Sequence, residues 1–273
     1  MNIDLDTGRL VAFLFGLFLW ISLEQFFAFR TKTASRNRRI LLHLSVAALN
    51  TVFVRMLVYV PLLLWIVYVE QMGWGIARWL GLRGWPEFLI SIMVLDLFDY
   101  FWHRANHRIP LLWRFHKAHH SDNDLDIFTA LRFHPGELLI SSGVKAVWIV
   151  IWGPSAIAWF LFEISVSICA QMHHSNVDLP ERIEQKVSKF IVTPRFHTLH
   201  HLVERDYGDR NFSTIFSFWD SLFRTKAWHL TRLEIVDMPL GLPEGRDLVL
   251  SMTQLLLEPF KTSNLHLSER PRD

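Results

Sequence analysis

Apolar runs long enough to cross a bilayer constrain this chain more than any other feature. Residues 10–29 supply about 20 successive positions, roughly 30 Å of helix and the thickness of a hydrocarbon core. Residues 41–69 form a longer run, and Pro61 within it predicts a kink or tilt. Residues 86–102 form a third. The segments ELLISSGVKAVWIVIW and PSAIAWFLFEISVSICAQM flank Gly153–Pro154, a turn signal, and predict a helical hairpin with a short first arm. Backbone in hydrocarbon must satisfy its own polar groups, which these runs can do only as helices. The expected fold is therefore all-α: a polytopic membrane helical bundle of about four to five membrane segments, with a helical cap outside the bilayer. The mean hydropathy of +0.22 and the 51% hydrophobic content agree.

The acidic start, MNIDLDTGRL, has no small-residue cleavage site after its apolar run, so a retained membrane helix is expected rather than a signal peptide. Three divisions follow: 1–85 as N-terminal membrane helices and an interfacial segment, 86–225 as the region dense in chemistry, and 226–273 as a soluble tail. A net charge of +2 without a basic tract argues against a nucleic-acid partner. Cys169 is the only cysteine, which excludes intrachain disulfides, thiolate zinc sites and iron–sulfur clusters.

Arg30, Lys32, Arg36, Arg38 and Arg39 crowd the first loop and predict that it is cytoplasmic. Arg78 and Arg83 fall on the other side and are outnumbered. With five passes, residues 103–136 and 173–273 return to the cytoplasmic face. His103, His107, His116, His119, His120, His134, His173, His174, His197, His200 and His201, eleven of the 14 histidines, then all emerge on that one face.

Their spacing is helical. In DLFDYFWHRANH, Asp99, His103 and His107 are four apart and share a stripe, with Asp96 close by. HKAHH places His116, His119 and His120 on one face. TPRFHTLHH repeats this with His197, His200 and His201, behind Thr193 as N-cap and Pro194 at the first helical position. Two HxxHH boxes and one HxxxH on the same side of a membrane predict a metal centre. Eight imidazoles in the boxes exceed the three or four that one zinc needs, so two metals of higher coordination number are expected. Imidazole favours iron, copper or zinc over magnesium or calcium. Neither the HExxH signature nor the carboxylate-rich pattern of soluble di-iron bundles is present.

The segments DLFDYFWHRANH, LWRFHKAHHSDNDLDIFTALRFHPGE, HHSNVDLP, VTPRFHTLHH and NFSTIFSFWDSLF resemble the sterol desaturase / fatty acid hydroxylase superfamily of membrane di-iron enzymes, over roughly residues 86–225. The resemblance implies two iron ions, O2 as co-substrate, and hydroxylation or desaturation of a lipid drawn from the bilayer. It implies metal-binding roles for His103, His107, His116, His119, His120, His174, His197, His200 and His201. His134 matches a family motif, but Pro135 takes it off a helix, so loop packing or ligand support competes with ligation. His173 is either a ligand or a neighbour of one. Ser213 and Arg224 stand where the family usually has glycine, and Lys226 where it usually has tyrosine.

Asp96 and Asp99 are candidates to hold the free N–H of a ligating imidazole, and the resemblance adds Asn176, Asn211 and Asp220. Asp122, Asp124 and Asp126 either join them or form a solvated loop. Trp102, Trp113 and Trp219 read as interface anchors or core. Lys145, inside the hairpin, either meets a headgroup or snorkels to the interface. Two electrons per turnover are needed, and nothing in the chain resembles a flavin, haem or iron–sulfur domain; a separate electron-transfer protein is implied. Two other readings stay open: a zinc-dependent membrane hydrolase, and a non-catalytic metal- or haem-binding membrane protein.

Overall fold

The computed structural model describes residues 5–32, 35–227, 229–243 and 251–261. The first apolar run is α1 (Leu5–Phe26). The second is one rod made of α2 (Arg36–Val54), a π-helical turn at Arg55–Tyr59, and α3 (Val60–Gln71). Pro61 has no N–H to donate and its ring crowds the preceding turn. The wide π turn just before it absorbs that conflict.

After the short α4 (Ile76–Trp79), α5 (Gly84–Arg108) runs 25 residues, past the expected end at 102. His103 and His107 therefore belong to the same rod as the third apolar run. Its inward stripe includes Ser91, Leu95, Asp96, Asp99, Tyr100 and His107. Pro110 then starts α6 (Pro110–His120), and a 3₁₀ turn follows at Ile127–Leu131.

The hairpin forms as expected. Its arms are α7 (Pro135–Trp152) and α8 (Ala156–His174), the first 18 residues long because it begins at Pro135. Gly153 ends α7 in the left-handed region at φ 68°, and a Cβ there would lie 2.0 Å from the Trp74 carbonyl oxygen. Ser155 accepts from Ala158 N–H and caps α8. Leu57–Trp79, Pro135–Trp152 and Ala156–His174 are long and apolar enough to cross a membrane, and Leu10–Phe26 is a shorter apolar helix. Ile66, Val69, Leu95, Ile149, Trp152, Trp159 and Phe162 form the bundle core.

The polar stretch from about 175 onward folds over the bundle end. It contains α9 (Glu181–Val187), α10 (Pro194–His200), α11 (Arg205–Gly208), α12 (Phe218–Leu222), α13 (Arg232–Ile235) and α14 (Met252–Leu257). Phe29, Leu125, Leu199, Leu202, Ile235 and Leu240 pack as the core of this cap. Leu255 of α14 packs with Leu42, Val46 and Ala118. Among the described residues the only β pairing is two isolated bridges, Ala28–Val177 and Leu202–Leu240.

The first loop, the first turn of α2 and the acidic DNDLD run lock the cap to the bundle. Arg39, 1% exposed, donates to both carboxylate oxygens of Asp122 (2.9 and 2.8 Å), to Asp126 Oδ2 (2.8 Å) and to the Asp124 carbonyl (2.7 Å). Lys32 reaches Asp126 at 2.9 Å. Arg30 donates to the carbonyls of Ile235 and Met238. The solvated-loop alternative for Asp122, Asp124 and Asp126 is thus overturned: all three are buried. Burial pushes Asp122 up, but Arg39, His43 and Arg132 reverse this and hold it well below the ordinary carboxylate range.

Candidate metal centre

Three local structures present the imidazoles. The last turns of α5 carry His103 and His107, four apart on the inward face. In α6, His116 and His120 share a face, with His119 beside them. Thr193 accepts from Phe196 N–H at 3.2 Å and Pro194 occupies the first turn, so α10 starts where the sequence requires. This aims His197, His200 and His201 at the other two segments. The end of α8 adds His174.

The nine imidazoles form two groups. His103, His107, His116, His120 and His200 make one; His119, His174, His197 and His201 make the other, and within each the ligand atoms lie within 4.8 Å of one another. The groups abut: the His120 and His201 rings stack at 4.4 Å. In the four-histidine group the His174 Nε2 lies 3.0 Å from the Nε2 atoms of both His119 and His197, and His197 Nε2 lies 3.1 Å from His201 Nε2. Neutral imidazoles carry one proton each, so such a knot of nitrogens cannot satisfy itself. Ligands at right angles about 2.1 Å from one cation would stand about 3.0 Å apart. In the five-histidine group, Nε2 of His116, His120 and His200 is buried without a hydrogen-bond partner. Buried polar atoms of this kind need a partner, and a metal ion fits both groups.

The protonation state suits that role. Burial, followed by the charges of neighbouring imidazoles, pushes His119, His120, His197, His200 and His201 well below 6.5. They present lone pairs rather than positive charge at neutral pH.

With that geometry in view, comparison with known proteins is informative. The model of the fatty acid hydroxylase family matches residues 88–225, just over half of the chain. The chain belongs to this family. An ornithine lipid hydroxylase of Rhizobium tropici is 25% identical over 144 residues, covering 52% of this chain and 43% of that protein. Human alkylglycerol monooxygenase is 27% identical over 129 residues, 47% of this chain and 28% of that protein. Methylsterol monooxygenase 1 of Danio rerio is 28% identical over 156 residues, 55% of this chain and 51% of that protein. The chain thus spans about half or less of the length of these relatives. No solved structure matches.

Within this hydroxylase-family chain, the imidazole partners differ from those expected. His116 Nδ1 lies 2.8 Å from Glu137 Oε1, and His107 Nδ1 lies 3.4 Å from Asp209 Oδ1. His103, His174 and His200 engage the carbonyls of Phe212 (2.9 Å), Ala170 (2.7 Å) and Arg210 (2.7 Å). Sequence reasoning missed Glu137 and Asp209 in this role. Glu137 carried a usable signal, an acidic residue in the first turn of an apolar helix, which is costly unless paired.

The expected supporting residues engage backbone or other side chains instead. Asp96 accepts from Ile215 N–H, Phe216 N–H and Trp219 Nε1–H. Asp220 accepts from Phe212 N–H and Ser213 N–H, steadying the segment whose carbonyl meets His103. Asn211 donates to the Phe196 carbonyl and accepts from Ala227 N–H, while Asn176 donates to the Arg30 carbonyl and accepts from Arg30 N–H. Asp99 is buried with Lys145 and Glu163 as charged neighbours. Lys145 does not snorkel; it pairs with Glu163 at 2.6 Å.

His134 and His173 lie outside both groups. His134 caps α7, accepting from Gly136 N–H at 2.9 Å, with its other nitrogen 3.1 Å from the Leu256 carbonyl. Both nitrogens face backbone. The His173 ring packs 4.2 Å from that of His197. Arg224 has φ 58°, which accounts for glycine being usual at its position in the family.

Proposed function

We propose that this protein is a di-iron membrane oxidoreductase that uses O2 to hydroxylate a lipid C–H bond, taking electrons from a separate protein. The observation that carries the reading is the convergence of nine histidines, all buried but the half-buried His103, into two adjoining groups at the end of an apolar bundle. The chemistry that iron would supply at these groups is the activation of O2, which breaking an unactivated C–H bond requires.

The five-histidine group and the four-histidine group would hold one ion each. Glu137 and Asp209 orient His116 and His107 and raise their donor strength. The carbonyls of Phe212, Ala170 and Arg210 fix the tautomers of His103, His174 and His200, leaving Nε2 for the metal. Phe133, stacked on His119 at 4.6 Å, and Phe212 against His200 at 5.8 Å shield the rings from water. His134 supports α7, and His173 is a neighbour of the four-histidine group. The relatives' names, a hydroxylase and monooxygenases, favour oxygen insertion over desaturation. Residues 86–225 would carry the reaction, and the basic first loop supports a cytoplasmic side for the histidines.

The test is metal analysis of protein purified without oxygen, joined to mass spectrometry of lipids from cells with and without the chain. Two irons per chain and a lipid product heavier by one oxygen are expected. A haem Soret band, or a hydrolysed rather than oxidised lipid, would overturn the reading.

A further inference from the structure

Behind the histidines, α10 forms one wall of a second concavity. This cavity of about 260 Å³ lies between α9, α10 and the segment after Thr225, with Glu184, Lys189, Arg195, Phe196, Leu199 and Lys226 among its lining. Two of its polar groups are buried and incomplete. Glu184 is 2% exposed; Thr193 donates to its Oε1, but Oε2 has no partner. Arg195 is 5% exposed, and its two terminal nitrogens are held by Glu181, Asp178 and the Leu179 carbonyl, but Nε has no partner. An unsatisfied acceptor and an unsatisfied donor in one cavity ask for a ligand that offers the converse of each. Lys226, over the Phe196 ring at 5.8 Å, and Lys189 add positive charge at the same wall.

Helix α9 also says where the ligand comes from. Glu184 and Ser188 face the cavity, whereas Ile183, Val187, Phe190 and Ile191 form an exposed apolar ridge on the same segment. On a cap over a membrane bundle, such a ridge would rest in the headgroup layer. The cavity would then open beside lipid heads, and its Phe196 and Leu199 surface suits an amphiphile.

We propose that this cavity binds the zwitterionic head of a membrane lipid, with a primary ammonium on Glu184 and a phosphate or carboxylate near Arg195 and Lys226. A facing ammonium removes the penalty that burial places on the Glu184 carboxyl, whose pKa is raised. The site goes beyond the oxidation reading and does not depend on it, because binding is measured without turnover.

The test titrates the full chain in detergent with short-chain phosphatidylethanolamine, short-chain phosphatidylcholine and free phosphoethanolamine, read by native mass spectrometry. Phosphatidylethanolamine should bind about tenfold or more tightly than phosphatidylcholine, whose quaternary nitrogen has no N–H for Glu184. Glu184→Gln and the more exposed Lys226→Ala should each weaken it by about tenfold with unchanged circular dichroism. Equal affinity for the two lipids, or no effect of the folded Lys226→Ala variant, would overturn the proposal. Free phosphoethanolamine binding as tightly as the lipid would overturn the membrane source.

Discussion

The two histidine groups are built from the same side chain but supported differently. Around the five-histidine group stand two carboxylates, Glu137 and Asp209, and the carbonyls of Phe212 and Arg210. Around the four-histidine group, His174 alone has an outer partner, the Ala170 carbonyl; Nδ1 of His119, His197 and His201 is buried without one. The first group also meets the outside. The Asp209 side chain is 43% exposed, and His107, His120 and His200 line a small opening that it shares with Arg205 and Gly241. Carboxylate support strengthens imidazole donors and offsets ion charge, so with an ion in each group the five-histidine group would suit the more positive or more exchangeable one. The four-histidine group relies on crowding and exclusion of water.

That contrast can be broken most severely at the ligands. His119→Ala and His200→Ala, one from each group, should each abolish lipid oxidation and lower iron from two to about one per chain, with membrane insertion retained. Full turnover by either variant would remove the basis for two working ions.

Next in size is a change that should strike both groups alike. Arg39→Met leaves Asp122 and Asp126 buried without their main counter-charge, which costs about 3–5 kcal/mol for a buried pair. Thermal unfolding in detergent should shift down strongly, and both ions should be lost together. Selective loss of one ion would show that Arg39 serves a single group.

Glu137→Gln keeps the shape beside His116 but removes the charge, and should lower activity or iron affinity about 10–100-fold. Asp209→Asn, at a longer contact and in partial contact with water, should cost less than about tenfold. Iron retention by the two variants ranks the supports directly; the reverse order would contradict the contrast drawn above. The smallest effect belongs at Arg224. Glycine there relieves a left-handed backbone and should leave oxidation unchanged, stabilising the chain by up to about 1 kcal/mol. A lower melting temperature for Arg224→Gly would mean that the arginine side chain contributes more than the backbone loses.

How much of this was legible beforehand depends on range. Apolar run length gave the bundle and the Gly153 hairpin, because hydrocarbon leaves a backbone no alternative to helix. Spacings of three and four gave the faces of His103/His107, His116/His119/His120 and His197/His200/His201, since neighbours on a helix are fixed by its pitch. Pro61 announced a disturbance in its helix, but whether it would appear as a bend or a π turn depends on the packing of the whole rod.

Tertiary structure alone divided the nine histidines five and four, splitting His119 from His116 and His120, and His200 from His197 and His201. A helix face spans more than one direction in space, and only the packing of α5, α6, α8 and α10 selects which neighbour each ring meets. The same holds for charge. Sequence placed Asp96, Asp99 and Asn176 near histidines along the chain, yet the partners came from Glu137 and Asp209, 21 and 102 residues from the rings they touch. The sequence alone settles what can be decided within one turn of helix, because covalent geometry sets those distances. Which distant carboxylate meets which imidazole is decided only when the helices close on one another, since contact across the chain follows packing and burial rather than spacing.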